Sequence, residues 1–383
     1  MIPYGRQNIT DEDVDAVVKV LRSDFLTQGP AVGKFESAVA EKVGANYAVA
    51  ANSATSALHI ACMALDLGPN DWLWTSPITF VASANCALYC GANIDFVDVE
   101  ADTGNMCVVA LEGKLQKAQV NGRLPKVVVP VHLSGQPCDM ENISRLAKIY
   151  GFSVVEDASH AIGGKYHAEY VGSCRYSDIT IFSFHPVKII TTAEGGLALT
   201  NDARLSDKMR RFSSHGITRD SNEMVGEPDG PWYYQQIDLG YNYRMTDIQA
   251  ALGLSQLGRL DQYVKTRHAI VARYEEMLSD FPIALPVRRS GRYSALHLYA
   301  VLVPDPTSRW TIFQSMREAG VGVNVHYIPV HTQPYYRQLG FNLGDFPKAE
   351  EYYARTISLP IYPTLTQSEQ DNVVSALKRA IAR

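Results

Sequence analysis

The sequence predicts an α/β protein built on a mostly parallel sheet with crossover helices. Through the first two thirds of the chain, short runs rich in β-branched residues alternate with segments of helical pattern. Several of these runs are apolar throughout, as is typical of strands that are buried on both faces. Because single cores stop growing near roughly 250–300 residues, a chain of 383 residues is expected to add a smaller second domain.

Seven strands are predicted from the apolar runs. They lie at residues 47–50, 72–75, 94–97, 126–131, 152–156, 179–183 and 196–200. Helical patterns occupy residues 54–65, 78–89 and 139–150, and Gly151 is suited to end the last of these helices. These elements together form the predicted sheet of about seven strands.

The pattern changes in the last third of the chain. Residues 215–232 are rich in Gly, Asp and Pro and predict a mobile loop. Thr246 opens a capping box for one long helix toward Leu278, which would bridge two domains. Beyond it, the pattern predicts strands at 296–303 and 321–327, helices at 309–319 and from Thr366 onward, and so a smaller α+β domain. We therefore expect a large domain at 1–250 and a small one at 251–383.

Composition excludes several classes of protein. The formal net charge is −5, and 46% of residues are hydrophobic and 20% charged, as in ordinary globular proteins. Mild acidity argues against nucleic-acid binding, and no apolar run approaches the roughly 18 residues of a membrane helix. The first residues lack a secretory signal pattern. The six cysteines contain no Cys-x-x-Cys, so no metal site is expected. A cytoplasmic enzyme is the leading class.

Small and hydroxyl-bearing residues at 52–57 lie between a predicted strand and a predicted helix. A helix N-terminus offers free N–H groups and a positive dipole end, which suit a phosphate group. Thr55 and Ser56 are the candidate ligands, although Ser and Thr also serve as ordinary helix caps.

Asp157 follows a buried strand, and Lys188 lies 31 residues later in an apolar stretch. An acid at the carboxyl end of a parallel strand sits where open α/β sheets bind ligands. There it would keep a ring nitrogen protonated, as pyridoxal phosphate (PLP) requires, or simply cap a turn. A partly buried lysine has a lowered pKa and can form a Schiff base, whereas a lone loop lysine is usually solvated. The presence of Asp157 and Lys188 together favours cofactor binding over a turn cap and a solvated lysine.

Two further residues extend this constellation. Ser183, at the end of a strand, could donate to a phosphate group. Phe80 follows the strand at 72–75 and could stack on a planar ring, although a core position is the simpler interpretation of one phenylalanine.

The sequence resembles the DegT-class, fold-type-I PLP-dependent sugar aminotransferases over essentially its whole length. The resemblance is carried by the motifs at 52–55, 156–158, 183–185 with Lys188, and 194–196. It implies that Lys188 binds the cofactor covalently and catalyses proton transfer. It also implies that Asp157 contacts the pyridine nitrogen of the cofactor, that Phe80 stacks on its ring and that His160 lies near its phenolic oxygen. The cofactor phosphate would be bound by Thr55, Ser56 and Ser183. Asn242 would reach the phosphate bound in the partner subunit. A homodimer with shared active sites follows from the last of these.

Segments 2–7, 26–30 and 325–330 resemble the branch of this family that acts in pseudaminic acid synthesis. The resemblance implies transfer of an amino group from L-glutamate to the 4-keto carbon of UDP-2-acetamido-2,6-dideoxy-β-L-arabino-hex-4-ulose. Another nucleotide-linked keto sugar is the alternative. The implied or chemically suited substrate residues are Tyr4, Arg6, Thr27, His215, Arg219, His326 and Tyr327.

Three other functions remain as alternatives. Sugar dehydratases of the same fold have histidine in place of the lysine, so Lys188 argues against that reaction. A regulatory ligand sensor would not need Lys188, Asp157 and Ser183 together. A Rossmann dehydrogenase is disfavoured because no G-x-G-x-x-G follows the first strand.

Overall fold

A seven-stranded sheet forms the centre of the protein in the computed structural model, which describes residues 1–382. Its spatial order is β1-β9-β8-β5-β4-β2-β3. The fourteen strands among the described residues are β1 Tyr47–Ala51, β2 Trp72–Thr75, β3 Asn93–Phe96, β4 Val127–Val129, β5 Ser153–Asp157, β6 Lys165–Tyr166, β7 Glu169–Tyr170, β8 Ile179–Ser183, β9 Gly196–Thr200, β10 Ile217–Thr218, β11 Gln235–Gln236, β12 Arg292–Tyr293, β13 Tyr299–Leu302 and β14 Thr356–Leu359.

Strand β9 alone runs against its neighbours in this sheet. It pairs antiparallel with β1 and β8, whereas the contacts from β8 through β5, β4 and β2 to β3 are parallel. The loop from β8 to β9 contains no helix, and a parallel neighbour would need a longer crossover. The predicted sheet of seven mostly parallel strands is therefore confirmed.

Helices cover both faces of the sheet. In chain order they are α1 Asp11–Leu21, α2 Pro30–Val43, α3 Ala54–Ala64, α4 Ala82–Tyr89, α5 Val108–Asn121, α6 Met140–Tyr150, α7 Ala203–Ser213, α8 Asp247–Leu257, α9 Leu260–Leu278, α10 Arg309–Glu318, α11 Pro334–Gln338, α12 Pro347–Arg355 and α13 Gln367–Ile381. Successive side chains of β8 show the two layers, because Ile181 joins the cluster of α3 and Phe182 the cluster of α2. None of these helices is long and apolar enough to cross a membrane.

Three predicted elements differ from the structure. The helix expected at 78–89 begins only at Ala82, so residues 78–80 form a loop instead. The long helix expected from Thr246 to Leu278 is two helices, interrupted at Gly258. The strand expected at 321–327 is absent from the described chain, where only single bridges join Val321 to Ile2 and Asn324 to Ser358.

The C-terminal third packs around the antiparallel pair of β13 and β14. Helices α9, α10 and α13 contribute to its apolar cluster. The capping box at Thr366 is confirmed, because Thr366 Oγ1 accepts from Glu369 N–H and the Glu369 carboxylate accepts from Thr366 N–H. The division into domains at residue 250 stays a prediction. Arg383, the last residue of the predicted small domain, lies outside the described residues.

Candidate active site

A cavity of about 520 Å³ opens where the carboxyl ends of β5 and β8 meet the N-terminus of α3. The carboxyl ends of parallel strands share one edge of the sheet, and open α/β sheets bind ligands there. Residues 324–327 from the C-terminal third form part of the opposite wall. The cavity is lined by Tyr4, Ser53, Ala54, Thr55, Leu58, Thr79, Phe80, Ala82, Val131, Asp157, Ser159, His160, Ser183, His185, Val187, Lys188, Glu194, Asn324, Val325, His326 and Tyr327.

The cavity brings together nine of the residues that the sequence singled out. These are Tyr4, Thr55, Phe80, Asp157, His160, Ser183, Lys188, His326 and Tyr327. Six others do not line it in the single chain, and their roles stay predictions: Arg6, Thr27, Ser56, His215, Arg219 and Asn242.

The N-terminus of α3 forms the small-residue side of the cavity. Ser53 caps the helix, and its side chain accepts a hydrogen bond from Ser56 N–H at 3.1 Å. The Ser56 hydroxyl donates to Asn52 Oδ1 at 2.7 Å, so it stabilises the turn. Ala54 and Thr55 line the cavity in the first helical turn, where backbone N–H groups lack intrahelical partners. This end of α3 is suited to an anion such as a phosphate.

Gly196 allows β9 to approach this turn closely. A Cβ atom on Gly196 would lie 2.4 Å from Ser53 O and 2.5 Å from Ala54 N. Both neighbours are backbone atoms, which cannot rotate away as a side chain does. Glycine at this position therefore sets the place of the α3 N-terminus relative to the sheet.

Asp157 ends β5 with its carboxylate held on both oxygens. Ser83 Oγ donates to Oδ2 at 2.5 Å, and Ser159 N–H donates to Oδ1 at 3.1 Å. The Ser83 hydroxyl also lies 2.7 Å from Thr79 Oγ1, so a second hydroxyl extends the hydrogen bonds that begin at Asp157. With 5% of its surface exposed, Asp157 is a buried acid of fixed orientation that faces a cavity.

Lys188 lies in the loop that follows β8. Its backbone N–H donates to His185 O at 2.9 Å, and the loop is closed by Thr192 N–H, which donates to Phe184 O at 3.0 Å. Burial of the amine lowers the pKa of Lys188 to about 8, although the nearby Asp157 carboxylate acts to raise it. Half-buried and at the cavity wall, Lys188 is an accessible amine with a neutral fraction near neutral pH.

Aromatic side chains form two other walls. Phe80 keeps 59% of its surface exposed although it is a large apolar residue, so its ring is free to cover a planar ligand. On the other wall, Tyr4 from the N-terminal segment and His326 from the C-terminal third have ring centroids 5.3 Å apart.

His326 is held inside the wall of the cavity. Its Nδ1 lies 2.8 Å from Ser358 Oγ, and its Nε2 lies 3.4 Å from the Asn324 amide nitrogen. Burial, with a contribution from the charge of Lys188, lowers the pKa of His326 to about 3. His326 is therefore a neutral polar group at physiological pH.

The donor set fits one kind of cofactor. A helix N-terminus suits a phosphate, Asp157 suits a protonated ring nitrogen, and Phe80 offers a stacking surface. Lys188 supplies an amine that can bond to an aldehyde carbon. No group of three or more metal-ligating side chains is clustered for a metal ion among residues 1–382. The fold and these residues define a PLP-dependent aminotransferase.

The chain belongs to the DegT/DnrJ/EryC1/StrS aminotransferase family, which it matches over residues 7–378. It is 40% identical to the spore coat polysaccharide biosynthesis protein SpsC of Bacillus subtilis, covering 98% of this chain and 96% of SpsC. It is 36% identical to the UDP-4-amino-4,6-dideoxy-N-acetyl-β-L-altrosamine transaminase of Campylobacter jejuni, covering 99% and 98% of the two chains.

A solved structure supports the same assignment. PseC of Helicobacter pylori, an aminotransferase involved in the biosynthesis of pseudaminic acid, superposes with a TM-score of 0.90. The two proteins are 32% identical, and the superposition covers 100% of this chain and 99% of PseC. The protein is thus an aminotransferase, and its cofactor is PLP.

Several residues of the site escaped prediction from the sequence. Ser83 lies within an apolar helix, and Asn324 in a segment expected to be a strand. Ser159 precedes His160, and His185 lies in the motif at 183–185, so position beside or within a recognised motif was the available signal for both. Asn324 follows no motif that points to a cavity.

Substitution of Gly196 by alanine is expected to raise the Kd for PLP about tenfold. Overpacking costs ~1–3 kcal/mol, and each ~1.4 kcal/mol changes an equilibrium constant tenfold. Fluorescence titration of the cofactor-free chain with PLP measures the effect. Gly33→Ala is the matched control, because a Cβ there would meet nothing within 4 Å. Equal PLP affinity in both variants would contradict the role of Gly196.

The reaction of the cofactor-free chain with PLP is expected to become faster as pH rises, with a midpoint near 8. Only the neutral amine is nucleophilic, and the pKa of Lys188 is lowered to about 8 from 10.5, so half of it is neutral at that pH. Stopped-flow absorbance measures the rate, and Lys188→Ala corrects for surface lysines. A midpoint near the ordinary value for lysine would show that the amine is not desolvated.

Proposed function

We propose that the protein transfers an amino group from L-glutamate to the 4-keto carbon of a UDP-linked 4-keto-6-deoxy sugar. The specific substrate proposed is UDP-2-acetamido-2,6-dideoxy-β-L-arabino-hex-4-ulose, in pseudaminic acid synthesis. The observation that carries the proposal is the meeting of Lys188, Asp157 and the α3 N-terminus in one cavity. The identity of the sugar is supported by the full-length similarity to the altrosamine transaminase and to PseC.

When bound, PLP supplies the carbonyl carbon and the electron sink for amino-group exchange. Lys188 anchors the cofactor and then accepts and returns a proton between the α-carbon of the amino donor and the cofactor. Asp157 keeps the pyridine nitrogen protonated, and its bonds from Ser83 and Ser159 hold the carboxylate in place. The α3 N-terminus and Ser183 bind the phosphate, and Phe80 orients the ring.

The amino donor is proposed to find part of its binding site on a second chain. Among the described residues that line the cavity, Lys188 is the only lysine or arginine, so the carboxylates of glutamate lack another cation there. Asn242 is exposed in this chain, and its backbone pairs with Ser214. These observations support a homodimer in which Asn242 contributes to the partner's site.

The cytoplasm is the proposed location of the reaction. All six cysteines are unpaired in the described chain, as is usual in a reducing compartment.

Assay of a panel of UDP-linked and dTDP-linked 4-keto sugars with glutamate tests the proposal. Mass spectrometry of the products identifies the aminated sugar. The altrosamine-type UDP sugar is expected to give the highest kcat/KM. A higher value for a UDP-4-keto-pentose or a dTDP-keto-deoxyhexose would replace the proposed substrate while leaving the reaction type intact. That alternative has support, because the protein is 40% identical to SpsC, whose name concerns a spore coat polysaccharide.

His326→Ala and Arg219→Ala are each expected to raise KM for the nucleotide sugar by about tenfold, as loss of a polar contact worth ~1–2 kcal/mol would. His326 lines the cavity. Arg219 is exposed directly after β10, in the segment that the sequence predicted to be wholly a loop, with its guanidinium 5.7 Å from the Tyr234 ring. The loop would have to bring Arg219 to the diphosphate.

The measurement separates the two half-reactions. Conversion of PLP to pyridoxamine phosphate by glutamate is expected to stay nearly unchanged in both variants, since it does not use the sugar. Arg175→Ala is the control for loss of an exposed arginine, because Arg175 pairs with Glu169 away from the cavity. Equal damage to both half-reactions would mean that these residues support the cofactor or the fold.

A further inference from the structure

The tautomer of His160 is set by a backbone amide. Ser134 N–H donates to Nδ1 of His160 at 3.3 Å. A neutral imidazole has one donor and one acceptor nitrogen, so an accepting Nδ1 places the ring hydrogen on Nε2. Nε2 lies 3.1 Å from the hydroxyl oxygen of Tyr327, which also lines the cavity. His160 is thus oriented as an Nε2–H donor toward the cavity.

Burial keeps this imidazole uncharged. His160 is 5% exposed, and burial lowers its pKa well below the ordinary value, assisted by the charge of Lys188 and by His326. A neutral donor can stabilise an anionic oxygen without adding a positive charge beside the amine of Lys188.

A second buried histidine, His297, packs against His160. The ring centroids are 4.4 Å apart, and the planes are inclined by 42°. His297 is 4% exposed, and its Nδ1 is buried without a hydrogen-bond partner in the described part of the chain. A buried polar atom that is left unpaired costs free energy and calls for an explanation. The aromatic neighbour of the His297 ring is the ring of His160.

The backbone of His297 also holds the amide that bonds to His160. Its N–H donates to Ser134 O at 2.9 Å, and its carbonyl accepts from Arg267 Nη1 at 3.2 Å. Arg267 is buried at 1% exposure and donates as well to the carbonyls of Leu296 and Ile361. Through these bonds α9 fixes the segment at 296–297, which in turn fixes Ser134.

Gly135 permits the close approach of these segments. Its φ is +98°, and a Cβ there would lie 2.8 Å from His160 O and 2.9 Å from Leu296 N. The turn at 133–135 therefore fits between His160 and the segment at 295–297 only with glycine at this position.

We propose that His297 is a positioning residue that holds His160 as an Nε2–H donor toward the anionic oxygen of bound PLP, which would replace the Tyr327 hydroxyl as the partner of Nε2. The ring of His297 restricts the ring of His160, and the backbone of His297 fixes the Ser134 amide that selects the tautomer. This inference rests on the proposed placement of the cofactor beside His160, which is part of the proposed function.

Nitrogen NMR of the full-length chain labelled with ¹⁵N-histidine tests the proposal, with and without PLP. The signals of His160 are assigned by their loss in His160→Gln. The wild-type chain is expected to show the Nε2–H tautomer in both states. His297→Ala keeps the backbone that holds Ser134 but frees the His160 ring to turn away from that amide. It is therefore expected to give a mixture of tautomers and a kcat lower by about tenfold, the size of loss known for residues that orient the ligands of a metal site.

Two variants separate positioning from stability. His297→Phe is expected to restore the single tautomer and most of kcat, because it keeps a ring against His160 and Nδ1 has no partner to lose. His331→Ala is the matched control, since His331 is also fully buried with an unpartnered Nδ1 but does not line the cavity. It is expected to lower the free energy of unfolding without changing the signals of His160.

An Nδ1–H tautomer in the wild-type chain would overturn the proposal, as would an unchanged tautomer and kcat in His297→Ala. The wild-type measurement needs only His160→Gln for assignment, so unfolding of His297→Ala does not remove the test. Failure of the proposed function would look different. The chain would then lack activity on every keto sugar of the panel, while the tautomer could still be read without PLP.

Discussion

Replacing Lys188 by alanine is expected to abolish aminotransferase turnover while PLP still binds without a covalent bond. The substitution removes the amine that is proposed both to anchor the cofactor and to move the proton. Proton transfer by a positioned side chain alone is worth about 10²–10⁴-fold, so a loss of at least about 10³-fold in kcat is expected. The α3 N-terminus, Ser183 and Phe80, which are proposed to hold the phosphate and the ring, stay in place in the cavity wall.

Equilibrium dialysis with PLP and a steady-state assay measure the two effects separately. Lys188→Arg is expected to fail in the same way, because a guanidinium stays protonated and cannot form the bond. Lys165→Ala is the control, since Lys165 lies over the Tyr170 ring and does not line the cavity. Multiple turnovers at a near-normal rate in Lys188→Ala would exclude Lys188 as the catalytic amine.

The central sheet was predictable because its strands are buried on both faces. Strands β2, β8 and β9 begin and end at the predicted residues, because mostly apolar runs bounded by polar or glycine residues mark where such strands start and stop. The same pattern placed Asp157 and Lys188 at the cavity, because the carboxyl ends of parallel strands share one edge.

The helices were less predictable, and for different reasons. Helix α2, which is not among the predicted helices, begins at Pro30 and ends before Gly44, and both residues are ordinary start and stop signals. The break between α8 and α9 at Gly258 was masked by continuous helical pattern on both sides.

Tertiary contacts explain the residues that no local pattern indicated. Ser83 bonds to Asp157 across 74 positions of sequence, and the His297 that meets His160 lies in a segment held by Arg267 of α9. Motif spacing describes neighbours along the chain, so it finds the groups at strand ends and misses those that orient them. His326 and Tyr327 were located by family resemblance and by the turn that follows them, although the predicted strand itself did not form.

Asp157→Ala is expected to lower kcat by about 10²–10³-fold, the size of effect found when one preorganised electrostatic contact is removed from an active site. Without the carboxylate, the pyridine nitrogen would lose the partner proposed to keep it protonated, and the cofactor would withdraw electrons less strongly. The Kd for PLP is expected to rise much less, because the phosphate contacts and Lys188 remain. The hydroxyl of Ser83 would also lose its acceptor on Asp157.

Asp157→Asn tests charge apart from shape, because the amide keeps the size of the carboxylate but cannot hold a proton on the ring nitrogen. Its kcat at saturating PLP is expected to fall nearly as far as that of Asp157→Ala. Asp178→Asn is the control, since Asp178 is a carboxylate that accepts from Val154 N–H beside the opposite, amino end of β8. If both Asp157 variants kept near-normal turnover while Asp178→Asn did the same, the ring nitrogen would have to be protonated by another group.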